Sequence, residues 1–183
     1  MPLHEGWLDQ YNRMLRSHVR LIEAAGPSSL GPDEARDRLY HFFQDAFHLR
    51  DWLRYSDNPN VKARATALWG ENNHIKATPA LALCHDICVG LKHFSVDRPA
   101  TGDSATTIDQ QNVQVALPVF ETRVEFPGSL QHAHDQRLAE EQAVATAAHR
   151  WRITSNGAHC DALDLADEVI AAWDSWLRAN SLL

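Results

Sequence analysis

Apolar residues recur along this chain at helical intervals in several separate stretches. Between residues 5 and 25, Leu8, Tyr11, Leu15, His18 and Ile22 keep that spacing, and Trp7, Met14 and Leu21 widen the stripe. The stretch GPSSLGPDEARD interrupts it. Pro32 followed by Asp33 and Glu34 is a helix start, because proline fits the first helical position and acids suit the positive end of the helix dipole. The pattern predicts a second helix over 32–55, ending before SDNPN, and a shorter third over 61–72. A fourth, over 77–94, is the most apolar and opens on Thr78 and Pro79, a cap and first turn.

The period then changes. SVDRPATGDSATTIDQQN reads as loop, whereas VQVALPVF and ETRVEF alternate and carry β-branched residues, as strands do. HRWRITSNG reads as a further strand ending at an Asn-Gly turn, and QRLAEEQAVATAA fits helix or strand. A last helix over 161–180 carries Leu163, Ala166, Val169, Ile170, Trp173, Trp176 and Leu177 on one side. The expected fold is mainly α. It is an up-and-down helical bundle, one domain over 1–183, with a small β-hairpin or sheet insertion over about 101–157 before the last helix.

Composition narrows the function classes. A hydrophobic fraction of 44% and six tryptophans suit a folded globular protein. No apolar run is long enough for a membrane span, and the first residues lack a signal-peptide layout. Three cysteines, an odd number, give no disulfide framework, and a reducing cytoplasm is the expected location. A formal charge of −7 with scattered basic residues argues against a duplex-binding surface and leaves room for a small basic site or a nucleotide-sized ligand.

Candidate chemistry lies on the second and fourth helices. In YHFFQDAFHLRDWL, the residues His41, Asp45, His48 and Trp52 fall at steps of four, three and four, and so share one face. That stripe is either a solvated edge with an intrahelical Asp-His pair or one wall of a site. On the fourth helix Asp86 and His93 are seven apart, on a face that also holds Ala82, Val89 and Gly90. A carboxylate among small apolar residues needs a partner, because burying it unpaired is costly. His48 or His41 is the expected partner, with His85 and Lys92 turned the other way. A carboxylate that orients an imidazole suits general acid–base chemistry. The catalytic candidates are therefore His48, Asp86, Lys92 and His93; His41, Asp45 and Arg50 are binding candidates, and Lys92 or Arg50 would counter phosphate charge. Alternatively, these residues merely fix helix packing in a protein-interaction module.

A metal-binding bundle is a third alternative, since the histidines and carboxylates are ligands of the right kinds. Glu71-x-x-His74 occurs only once, however, and di-iron bundles use that motif in pairs, so no cofactor is expected. Cys84 and Cys88, one turn apart in an apolar helix, read as buried hydrophobes. There is no Gly-rich phosphate loop and no Gly-x-Ser-x-Gly elbow.

FFQDAFHLRDWL, CHDICVGLKHF and the closing ALDLADEVIAAWDSWL together resemble bacterial HEPN-like helical proteins. The resemblance covers the helices, about two-thirds of the chain, and is one of pattern. It implies a small bundle, often homodimeric, of a family that includes RNase toxins and nucleotide-binding modules; RNA, a nucleotide or a protein partner such as an antitoxin would follow. The family's nuclease signature is an Arg followed after four to six residues by His. Before His93 the eligible positions hold Cys88, Ile87 and Asp86, whereas Arg36 and His41 meet the spacing on another helix.

Overall fold

The structure, a computed structural model, describes residues 5–27, 30–70, 73–92, 99–114 and 147–183. Among these residues the chain is a helical bundle with six α-helices and a three-stranded antiparallel sheet placed before the last helix. The helices are α1 (Trp7–Ala25), α2 (Pro32–Arg54), α3 (Pro59–Ala65), α4 (His74–Ala77), α5 (Pro79–Lys92) and α6 (Ala162–Ala179). The strands are β1 (Thr107–Gln114), β2 (Ala147–Ser155) and β3 (Ala158–Asp161).

The helix boundaries follow local chemistry. Pro32 and Pro59 occupy first-turn positions of α2 and α3, where a missing N–H is not felt. The Asn58 side chain accepts from Asn60 N, and the Asp161 side chain accepts from Leu163 N at 2.8 Å, capping α3 and α6. α1 and α5 both pack on α2, and α6 touches α1, α2, α5 and the sheet. One hydrophobic cluster results. It is built from Met14 and Leu21 of α1, Leu39, Phe42, Phe43 and Leu49 of α2, and Trp173 and Leu177 of α6, closed by Trp151 and Ile153 of β2. Tyr11 ties α1 to α6 by donating its hydroxyl to Asp174 Oδ1 at 2.6 Å.

Burial, reinforced by the hydrogen bond to Asp174 and its charge, pushes the Tyr11 phenol up from 10.0 to about 12. The folded state thus holds that proton more tightly than the unfolded chain. The associated stability is complete below pH 10 and is lost as pH rises towards 12. A tyrosinate absorbance titration should therefore show one late-titrating phenol that disappears in Tyr11→Phe.

In the sheet β2 is central. Ile108 of β1 pairs with Ile153, and Arg152 pairs with Asp161 of β3. Trp151 and Ile153 point into the core while Arg150 and Arg152 are exposed, the period-two pattern of a half-buried strand. Asn156 and Gly157 make the expected turn, with φ of 51° and 73°. Gly157→Ala should cost about 1 kcal/mol in urea unfolding, because a Cβ disfavours positive φ.

Three expectations change. The single helix expected over 61–72 is α3 followed by a 3₁₀ turn, Thr66–Leu68, and α4 is a separate turn capped by Asn73. The loop expected up to residue 112 already contains β1, whose sequence TIDQQNVQ is too polar to signal a strand. β3 is only four residues long and hid against the start of the last helix. Of the strand expected at VQVALPVF, Val113 and Gln114 fall within β1; its remainder and ETRVEF lie outside the described residues, as does most of QRLAEEQAVATAA. No helix among the described residues is long and apolar enough to cross a membrane.

A candidate polar site between helices two and five

Asp86 is buried, with its side chain wholly enclosed. The chain brings four donors to it. Ala100 N lies 2.6 Å from Oδ1 and Thr101 N 2.9 Å from Oδ2; the Thr101 hydroxyl donates to Oδ2 at 2.6 Å. The fourth is His85 Nδ1, 2.9 Å from Oδ1. A carboxylate only accepts, so Nδ1 of His85 carries the proton and the basic lone pair of the neutral ring sits on Nε2. Burial pushes the Asp86 carboxyl up, but the bonds from His85, Thr101 and Ala100 outweigh it and hold the group below its ordinary 3.8.

The network extends into the sheet. Thr101 Oγ1 accepts from Asp103 N at 3.2 Å, and Asp103 Oδ2 accepts from Asn156 N at 2.6 Å, at the β2–β3 turn. Asp86 therefore fastens α5 to the loop before β1 and, through Asp103, to the hairpin turn.

His85 is held on a second side. Its ring meets Phe47 of α2 edge-on, with centroids 5.3 Å apart. The guanidinium of Arg50 sits 4.1 Å from the centre of the same Phe47 ring and 4.4 Å from that of Trp69. Arg54 adds a second guanidinium 4.1 Å from Trp69. Phe47, Arg50 and Arg54 recur at steps of three and four, so one stripe of α2 carries them all. The ion-pair partner of Arg50 is Asp51, at 3.4 Å; Arg54 has none among the described residues. Burial and the charge of Arg54 lower the Arg50 pKa, Asp51 opposes them, and the group stays cationic. Lys92, exposed, lies two turns beyond His85 on the same face of α5.

The structure brings together fewer of the predicted site residues than expected. His41 and His48 are exposed, and neither reaches Asp86. Asp45 faces α1 instead: Gln10 Nε2 donates to its carbonyl at 2.8 Å, and the Ser17 hydroxyl donates to Oδ2 at 2.5 Å. The reason is rotational. The line of α2 that meets α5 runs through Phe43, whose carbonyl accepts from Cys84 and Cys88 at 3.6 Å, and Phe47. Asp45 is two residues, about 200°, away from Phe43 and so faces the other neighbour. His93 lies outside the described residues. Arg50 borders the new site and Lys92 lies two turns along α5 from it, whereas His85, read from the sequence as pointing away, is the histidine that Asp86 holds.

His85, Phe47, Arg54 and Trp69 were all missed. A signal existed in the Phe-x-x-Arg-x-x-x-Arg spacing of α2, but Trp69 arrives from a turn that the sequence pattern does not place. Cys84 and Cys88 are not nucleophiles. Burial drives both thiols up, that of Cys88 to about 12, so neither offers a thiolate at neutral pH. Among the described residues no group of three or more His, Cys, Asp or Glu converges as a metal site would require. No family model matches the chain, and no curated protein or solved structure is significantly similar to it.

Proposed function

We propose that the α2–α5 face binds a phosphate-bearing ligand, a nucleotide or single-stranded RNA segment, with His85 as its acid–base group. The observation that carries this reading is the convergence of two guanidiniums on Trp69, only one of them paired with a carboxylate among the described residues, beside a histidine oriented by a buried aspartate. Cations held over an aromatic ring suit a phosphate. The helices resemble a family that includes RNases, although its Arg-to-His signature is not met before His93, and RNA phosphodiester cleavage is the reaction to test. His85 Nε2 would take the proton of the 2′-hydroxyl, whose oxygen attacks the adjacent phosphorus. The 5′-oxygen then leaves with a proton returned from the imidazolium, while Arg50 and Lys92 counter the added negative charge.

The test uses short fluorescent RNA oligonucleotides, followed by anisotropy and by gel. Binding should weaken as salt rises, and Lys92→Ala should weaken it without loss of fold. His85→Ala should abolish cleavage and keep binding. Unchanged binding in Lys92→Ala together with unchanged cleavage in His85→Ala contradicts the reading.

A second reading has its own observation. Leu8, Val19 and Ile22 of α1 are 47%, 54% and 49% exposed and, by helical spacing, lie on one side. Such a stripe suits a protein partner, and a second copy of this chain is the first to test. Light scattering should give twice the chain mass, reduced to one chain by Val19→Glu. The odd cysteine count and two buried free thiols support a cytoplasmic setting.

A further inference from the structure

A second feature lies at another place, where the start of α1 meets the end of α2. There the chain leaves an open cleft of about 420 Å³. Trp7, Trp52 and Tyr55 give it aromatic walls, and Glu5, Asp51 and Asp57 give it carboxylates; no lysine, arginine or histidine lines it. Two of the carboxylates are partly committed. Glu5 pairs with Arg13, which lies outside the lining, and Asp51 has Arg50 Nε at 3.4 Å. Asp57 is exposed and has no ion-pair partner among the described residues. The amino ends of α1 and of the short α3, whose N-cap is Asn58, border the cleft together with the carboxyl end of α2, so the helix-end charges partly offset one another.

Aromatic faces and carboxylates attract the same kind of guest. A ring quadrupole presents negative charge on its face, and a cation that is itself partly apolar satisfies both wall types. The chain already uses the rings in this way from outside the cleft. The Arg13 guanidinium lies 5.9 Å from the centre of Trp52, and that of Arg54 lies 5.5 Å from the centre of Tyr55. The volume admits a small ammonium with room to spare, and lies at the lower end of the range for small-molecule sites. An anion is disfavoured by the three carboxylates, and a neutral guest would gain nothing from them.

We infer that this cleft binds a small organic cation carrying an alkylated ammonium group, recognised by Trp7, Trp52 and Tyr55 and balanced by Asp57. The ammonium could reach the cleft on a free small molecule or on a methylated lysine side chain, and the two sources share this chemistry.

The probe is choline, titrated into the full chain while the tryptophan indole N–H resonances are followed by NMR. Signals of Trp7 and Trp52 should shift saturably. The neutral isostere 3,3-dimethylbutan-1-ol should bind at least about tenfold more weakly, as should phosphocholine, whose phosphate meets the carboxylates. Tyr55 is 70% exposed, so Tyr55→Leu should keep the fold and weaken choline binding by about three- to tenfold, as should Asp57→Asn. A trimethyllysine peptide that binds more tightly than choline, with its unmethylated form weaker, assigns the source to a peptide; equal or weaker binding assigns it to a free cation. Equal affinity for choline and the neutral isostere, no saturable shift, or choline affinity unaltered in both folded variants overturns the inference.

Discussion

Asp86→Ala is expected to destabilise the protein by about 3 kcal/mol or more in urea unfolding, and to lower its melting temperature by roughly 6 to 12 °C. The substitution leaves Ala100 N, Thr101 N, the Thr101 hydroxyl and His85 Nδ1 without the enclosed carboxylate that accepts from them. Each unsatisfied buried donor carries its desolvation cost, and the loop that leads into β1 loses its hold on α5. Lys92→Ala, exposed and with no comparable role, should stay within about 0.5 kcal/mol of the wild type. The two variants thus separate the clamp from the ligand site. Acid acts in the same direction, by protonating the carboxylate. Because the folded carboxyl titrates below 3.8, its contribution is complete above that value and is lost as pH falls below it. Asp86→Asn should flatten that acid limb, since the amide does not titrate.

Arg50→Ala is expected to cost at least about tenfold in affinity for a phosphate-bearing ligand, on the scale of one charge-assisted hydrogen bond lost. The same change removes a cation from between Phe47 and Trp69, and a stability loss of about 1 kcal/mol should accompany it. Arg50→Lys should restore little affinity. An ammonium keeps the charge but cannot lie flat on two rings while presenting a planar fork of donors. Anisotropy at fixed low salt measures the affinity, and a urea titration of the same samples reports whether the fold survived. If Arg50→Ala binds as the wild type does, the guanidinium has no part in the ligand site.

The helical part of the fold was legible because long apolar periods are strong signals, and Pro32 and Thr78-Pro79 mark two starts. The sheet was half legible. HRWRITSNG alternates sharply and ends on a turn whose φ values only a few residues tolerate, but β1 turns polar side chains to solvent and β3 is too short to show a period. Asp86 could be singled out from its apolar neighbours alone. Its partner could not. Ala100 and Thr101 donate through backbone N–H groups, which every loop residue possesses, and His85 lies next door in the chain, where helical spacing separates faces. Adjacent side chains can still meet when one curls round to a shared hydrogen bond. The stripe His41–Asp45–His48 was a real face of α2, but which neighbour it met depended on the rotation of α2 in the bundle. That rotation is set by Phe42, Phe43 and Leu49 burying together, a packing outcome that no local pattern carries.

The most direct measurement is an NMR titration of a short RNA oligonucleotide or dinucleotide into the full chain, following the imidazole signals of His85 and the guanidinium Nε–H of Arg50. The expected result is saturable shifts of both at one common dissociation constant, with the imidazole signals of His159, on the β3 strand, unmoved. Unmoved His85 and Arg50 signals at saturating ligand, or shifts confined to residues away from α2 and α5, would contradict the α2–α5 site and leave Asp86 and His85 as a structural clamp.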